Sequence, residues 1–489
     1  MEQTTTSFDS ATQGVFGDIL NAQRQRAGRT RVGLIGCGYF EYWRMYPSLR
    51  ETVRNDLDAV CARLAETFDV VYPGMVDTLD AAEAAGQALS DAGVQTVLVV
   101  EGTYLPDFMV LNALEHVPNA CVILFDTQTG SGLSAEDVYE DTLRNSALIG
   151  IAQLSGTFRK SGRPYDVVVG EIAEPDAYRQ IARLVRAREI AARLRTFNIG
   201  LVGHVFRGMF DLEFDRGAVR GCLGPEVISV QAEHLIDLWK EIPDADVAAA
   251  VERLTQRFRT RTITHDDIRR SVRLGLAMRQ LTDRYRLDAL CFLGQHYLEK
   301  MTHAPARLGA SMMMEQDRMM VACEGDVGGL ITMQILYELT GNAPVQMEWG
   351  QFDASRNAVF LLGHGIASPE VASGPDQVTL TRAPEEWGFE GHGVSWEMML
   401  RPGTVTMGHF LATPDGWRML ISGGQSLPEP RLPCDEIHGL VRVDSPVREY
   451  LRTLLEHGMA HHVIVVHGDV VDELEMIADA MGVQKLVVR

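Results

Sequence analysis

RVGLIG (Arg31–Gly36), VQTVLVV (Val94–Val100) and CVILF (Cys121–Phe125) are the stretches that decide the fold. Each is a short apolar run, rich in β-branched residues and without alternation, the pattern of a strand buried on both faces. A long helical region, roughly 45–92 and interrupted near Tyr72–Gly74, lies between the first two. Strands alternating with helices predict a parallel sheet covered on both sides. GCGYF follows the first strand, EGTYLP the second and DTQTGSG the third. Ligands of open parallel sheets bind at strand carboxyl ends, so topology alone brings Tyr39, Tyr104, Asp126 and Gln128 towards one edge.

Further along, a helix over 175–195 leads into a second α/β unit that opens with the strand FNIGLVGH (197–204). Thr264 is an N-cap candidate, with acids in the following turn and Ile268, Val272 and Leu276 on one stripe. LDALCFLG (287–294) and MMVACEG (319–325) are the next strands. Glu324 thus ends a strand, and Asp326 can cap the helix Leu330–Leu339. After Gly341 the composition shifts: nine of the 19 prolines fall between Pro344 and Pro433, and the apolar runs become short. That is the signature of an antiparallel, barrel-like sheet. The predicted class is α/β, with two parallel-sheet domains followed by a β-rich C-terminal domain. The expected divisions are an arm over 1–28 and domains over 29–174, 175–343 and 344–489.

The chain of 489 residues is too long for one core. Its net charge of −21 argues against nucleic acid or an anionic membrane as partner. Seven cysteines (Cys37, Cys61, Cys121, Cys222, Cys291, Cys323, Cys434) form no CxxC pair, as expected of thiols in a reducing compartment. The N-terminus lacks a basic segment followed by an apolar one, and no apolar run is long enough to span a bilayer, so a cytoplasmic location is expected. GLIGCGYF (33–40) does not fit a dinucleotide fingerprint. Tyr39, Phe40 and Glu41 follow Gly38 where a third small residue must let the helix pack on the strand.

Candidate chemistry centres on CEGDVGG (Cys323–Gly329), VQMEWGQ (345–351), VFLLGH (359–364) and GMAHH (458–462). Two carboxylates, Glu324 and Glu348, and the imidazoles of His364 and the His461–His462 pair are a plausible ligand set for one divalent ion. An oxygen-rich set favours Mn²⁺ or Mg²⁺ over zinc. Asp353 is the alternative to Glu348 as second carboxylate. Adjacent strand positions point to opposite faces, so only one of His461 and His462 easily faces an ion. His204, His296, His303 and His409 have no such context and read as structural or surface residues.

The order and surroundings of these residues resemble the L-arabinose isomerase family and, more distantly, L-fucose isomerase. The arabinose enzymes carry GEGD, a later ME dipeptide, a GxH and a C-terminal AHH. Here CEGD (323–326), Met347–Glu348, Gly363–His364 (one intervening position fewer) and Ala460–His462 stand in the same order, and GTYLP (102–106) and FDTQ (125–128) match loops that face the sugar. The resemblance spans most of the chain from about Val32. It implies an aldose–ketose isomerase acting through a cis-enediol, with Glu324 and Glu348 as acid/base pair. Glu324, Glu348, His364 and His462 would hold Mn²⁺, or another divalent ion such as Mg²⁺ or Co²⁺. Tyr39, Tyr104, Asp126, Gln128, Met209 and His461 would face the sugar, and the chain would form a homotrimer or homohexamer.

Two departures bear on the substrate. Asp126 stands where the family has a His, and CEGDVGG replaces GEGDWKT. An ionised Asp126 accepts hydrogen bonds only, which favours a neutral pentose or hexose offering a donor hydroxyl. The altered loops also leave two alternatives: a sugar-binding or regulatory homologue without chemistry, and a sugar epimerase.

Overall fold

The computed structural model describes residues 29–133, 138–294, 297–385, 390–428, 431–432 and 434–489. The arm over 1–28 and His296 lie outside the described residues. The chain divides into two compact units, of which the described parts are 29–188 and Glu189–Arg489.

In the N-terminal unit, β1 (Arg31–Cys37), β2 (Asp69–Val71), β3 (Thr96–Glu101), β4 (Cys121–Gln128) and β5 (Asp166–Glu171) form one sheet. Its order is β2-β1-β3-β4-β5 and every pairing is parallel. The predicted strands are therefore present, and the crevice between β1 and β3 is the point where strand order reverses. The stretch read as one interrupted helix holds helices Leu49–Ala65 and Leu79–Asp91, with edge strand β2 between them. Ile35, Val97, Val99 and Leu124 pack with Met109, Leu154 and Phe158 from the covering helices.

One acid is enclosed in this core. Glu101 ends β3 with no exposed surface. Its Oε2 accepts the Leu105 N–H at 3.2 Å, its Oε1 has no hydrogen-bond partner, and a Cβ at Gly150 would overlap the carboxyl group. Burial pushes its pKa from 4.5 up to about 9, against the Leu105 N–H, which lowers it. Between those values the folded chain holds a proton that the unfolded chain releases, so stability falls as pH rises. Glu101→Gln removes that penalty. Urea unfolding from pH 5 to 9 is expected to show a gain of about 3 kcal/mol at neutral pH, shrinking as pH falls towards the ordinary carboxylate value.

The C-terminal unit holds the other two sheets. β6 (Asn198–Val202), β7 (Glu226–Val230), β9 (Ala289–Phe292) and β10 (Val321–Cys323) form a parallel sheet in the order β10-β9-β6-β7, while β8 (Arg259–Thr260) joins the third sheet. The helix His265–Tyr285 opens with the expected cap: Thr264 and Asp267 exchange side-chain and backbone hydrogen bonds.

The third sheet contains β11 (Val345–Asp353), β12 (Ala358–Gly363), β13 (Thr379–Arg382), β14 (Val394–Met399), β15 (Gly403–Thr413), β16 (Gly416–Ser426), β17 (Ile437–Arg442), β18 (His462–His467) and β19 (Gln484–Val488). Six of these run antiparallel in the order β16-β15-β18-β11-β12-β17, and Gln425 and Ser426 of β16 pair with Arg442 and Val441 of β17. That last pairing closes a barrel and removes two edges. The α/β class with a β-rich C-terminal region is thus as the sequence predicts. The helix Val327–Thr340 packs on β15 and β18, which ties the end of β10 to the barrel. No described helix is long and apolar enough to cross a membrane.

Candidate metal centre

The turn after β10 builds one side of the site. Glu324 adopts φ +62° and Gly325 φ +77°. The left-handed conformation of a non-glycine residue costs ~1–3 kcal/mol, a cost met typically where function fixes the backbone. Gly325 has no alternative: a Cβ there would lie 2.6 Å from Val205 Cα. The Phe206 N–H donates to the Glu324 carbonyl at 3.1 Å, so the loop after β6 holds the same turn from the other side. Asp326 then caps the helix Val327–Thr340, accepting the Gly329 N–H at 2.7 Å.

The barrel builds the opposite side. Glu348 of β11 pairs directly with His462 of β18 and with Leu362 of β12. Paired residues share a face, and His364, the first residue beyond β12, brings its ring to the same carboxylate. The Glu324 carboxylate approaches His462 Nε2 at 3.1 Å and His364 Nε2 at 3.8 Å. Glu348 Oε1 lies 2.8 Å from His364 Nε2 and 3.9 Å from His462 Nε2. Glu324 and His462 are buried, whereas a quarter of the Glu348 side chain is exposed. Asp353, the alternative carboxylate, instead accepts from Ser355 and Arg356 in the turn beyond β11.

His461 departs from the expected strand geometry. β18 begins at His462, so alternation does not separate the two rings, whose centroids are 4.2 Å apart. Asp211 holds His461 by its backbone N–H at 3.0 Å and by Nδ1 at 2.6 Å. The other ring nitrogen, Nε2, is buried without a hydrogen-bond partner and lies 4.0 Å from Glu348 Oε1. One ligand atom each from Glu324, Glu348, His461 and His462 fall within 4.8 Å of one another. A buried, unsatisfied imidazole nitrogen whose partner nitrogen is fixed by a carboxylate is the arrangement of a metal-ligating histidine. This set of two carboxylates and two imidazoles, with Glu324 and His462 buried, therefore fits a divalent cation.

Electrostatics follow from this packing. Burial lowers the His462 pKa, but Asp326 and Glu324 outweigh it and raise it to about 10. Burial raises that of Glu348, and the His364 hydrogen bond and charge bring it below the ordinary value. Asp211 is lowered in the same way by His461 against its own burial.

Met209 lies on the loop after β6, packed with Val205, Leu212 and Ala460, the residue before His461. The remaining candidates belong to the N-terminal unit. Tyr39 and Tyr104 follow β1 and β3 with ring centroids 5.8 Å apart. Asp126 and Gln128 end β4, and burial pushes the Asp126 carboxyl upward from its ordinary value. Sequence reading passed over Asp211 and Gln346, and took His409 as a structural or surface residue. Gln346 precedes Glu348 by two on the same strand face, and its Oε1 accepts the Cys323 N–H at 3.0 Å. For His409 the one signal was a histidine inside the apolar run TVTMGHFL, where a buried imidazole needs a partner.

No protein-family model matches the chain. Curated relatives do. The chain is 25% identical over 350 residues to the sulfoquinovose isomerase of Alkalicoccus urumqiensis, covering 68% of this chain and 74% of that one. It is 22% identical over 383 residues to that of Priestia aryabhattai, covering 78% and 82%. It is 24% identical over 353 residues to that of a Clostridium species, covering 70% and 76%. These distant similarities support a sugar isomerase as the class of enzyme.

Proposed function

We propose that this chain is a metal-dependent aldose–ketose isomerase in which Glu324 and Glu348 exchange a proton between C2 and C1 of a sugar. The observation that carries this reading is the convergence of two carboxylates and three imidazoles from four separate segments, with Glu348 still reachable from solvent. Glu324, Glu348 and His462, with His364 and His461 beside them, would hold Mn²⁺ or a similar ion. When bound, the ion supplies positive charge where the substrate oxygens become negative.

The chain's own groups carry the protons. One carboxylate takes the C2 proton of the open-chain aldose, and the C2 hydroxyl proton moves to O1, giving a cis-enediolate with its negative charge on O2. The proton returned to C1 completes the ketose, so that C2 is oxidised by two electrons and C1 reduced by two. The hydrogen bond from His364 favours ionised Glu348, the form a base needs. Asp211 fixes the His461 ring so that Nε2 faces the reacting carbons or the ion. The same proposal includes assembly into a trimer or hexamer. Exposed Phe40, Phe108, Tyr139, Leu148 and Ile149 follow strand carboxyl ends of the N-terminal unit and suit an interface between copies.

For the substrate, the relatives' name favours a sulfonated hexose, sulfoquinovose, ahead of the neutral pentose or hexose suggested by Asp126. The test is a panel of sulfoquinovose, pentoses, hexoses and 6-deoxyhexoses with Mn²⁺-loaded protein, read by ketose formation. Sulfoquinovose is expected to give the highest kcat/KM. A neutral sugar ranking first reverses the substrate choice, and no ketose from any aldose removes the enzyme assignment.

A further inference from the structure

Behind the proposed ion site lies a buried chain of polar groups that the reaction itself does not use. Asp326, His409 and His462 are all at most 2% exposed. Asp326 Oδ2 lies 2.9 Å from His409 Nε2 and 2.9 Å from His462 Nδ1, while Oδ1 accepts the Gly329 N–H. His409 comes from β15 and His462 from β18, and both strands pack against the helix that Asp326 caps. The approach is close: a Cβ at Gly328 would overlap the Phe410 carbonyl and lie 3.4 Å from His409 Cε1.

Hydrogen-bond arithmetic assigns the roles. An ionised carboxylate only accepts, so both imidazoles donate to it. His409 therefore carries its proton on Nε2, consistent with its buried Nδ1 having no hydrogen-bond partner. His462 carries a proton on Nδ1 towards Asp326, so Nε2, which donates to Glu324 in the ion-free protein, is the nitrogen left to present to an ion. Gln346 Nε2 also lies 2.8 Å from His462 Nδ1, a contact that taken alone asks for the opposite tautomer. The same amide reaches Asp326 Oδ2 at 3.4 Å. The full charge of the carboxylate outweighs a neutral amide dipole, so Asp326 decides the tautomer.

From this arrangement we infer that His409 is a positioning residue for the ion site, acting through Asp326 to fix the ring plane and tautomer of His462. The inference rests on the reading of His462 as a ligand. An imidazole that donates to a carboxylate through one nitrogen presents the other, in a fixed direction, as a lone pair. Outer groups of this kind commonly change metal affinity 10- to 100-fold. His409 Nε2 spans both oxygens of that carboxylate, at 3.1 and 2.9 Å, and without it the Asp326 plane beside His462 is held only by the Gly329 N–H and the more distant Gln346 amide.

The test compares His409→Leu and His409→Gln with wild type by Mn²⁺ titration calorimetry, thermal unfolding of the metal-free proteins, and kcat and KM at saturating Mn²⁺. The Gln side chain carries an amide donor near the position of Nε2, whereas Leu carries none. Leu is expected to weaken Mn²⁺ binding 10- to 100-fold and Gln to recover most of it. If Leu prevents folding, His409→Asn, whose amide is too short to reach Asp326, takes its place with the same expected loss. Folded variants that all bind Mn²⁺ as wild type does, or Gln binding no better than Leu or Asn, overturn the inference. So does a second ion per chain that disappears with His409, since that makes His409 a ligand. Wild type that binds no Mn²⁺ overturns the proposed function and this inference with it; wild type that binds while the variants are unaffected overturns the inference alone.

Discussion

Glu324→Gln is expected to lower kcat by about 10²–10⁴-fold, the usual contribution of one positioned acid or base. The substitution keeps size and shape in a position that is almost fully buried, so the fold should persist. It removes the charge facing His462 and His364 and the group that accepts a proton. Glu348→Gln should act in the same range, because either half of a proton relay is useless without the other. The measurement is steady-state turnover on the sugar selected by the panel, with circular dichroism as a control on folding. Wild-type turnover in the Glu324→Gln protein would sink the assignment of that residue.

Removal of divalent ions with a chelator is the second large effect expected. Activity should fall to background and return on adding Mn²⁺. Three carboxylates, Glu324, Asp326 and Glu348, crowd the site beside its imidazoles, so an ion that binds the folded chain stabilises it. At a free concentration one hundred times its Kd, that stabilisation is about 2.7 kcal/mol. It should appear as a higher midpoint in thermal scans with Mn²⁺ than with chelator. Glu324→Gln should show a much smaller difference, which separates site binding from general salt effects.

Much of this organisation was legible in the sequence because it depends on local signals. β1, β3 and β4 are apolar runs that announce themselves, and Thr264 and Asp326 cap helices as their spacing requires. β2 was not legible: Asp69–Val71 is three residues at a sheet edge, too short for any period. Barrel closure between β16 and β17 depends on the pairing of Gln425 with Arg442, a long-range register that no local pattern encodes. The site divides along the same line. Glu324, Glu348, His364 and His462 were named from motifs. Asp211 was missed, and His409 was read only as structural or surface, because their partners, His461 and Asp326, lie 250 and 83 residues away. The His461–His462 argument failed on a boundary, since the alternation rule applies only within a strand and the strand starts at His462.

Isomerisation in D₂O, followed by proton NMR, tests the central claim most directly. Mn²⁺-loaded protein is given the best aldose of the panel, and the ketose is examined at C1. Transfer between C2 and C1 through a carboxylate that can exchange with solvent predicts a ketose carrying deuterium at C1, formed only with the ion present and with both Glu324 and Glu348 intact. An aldose inverted at C2 with no ketose at any time, or a ketose formed equally well by the Glu324→Gln protein, would contradict it.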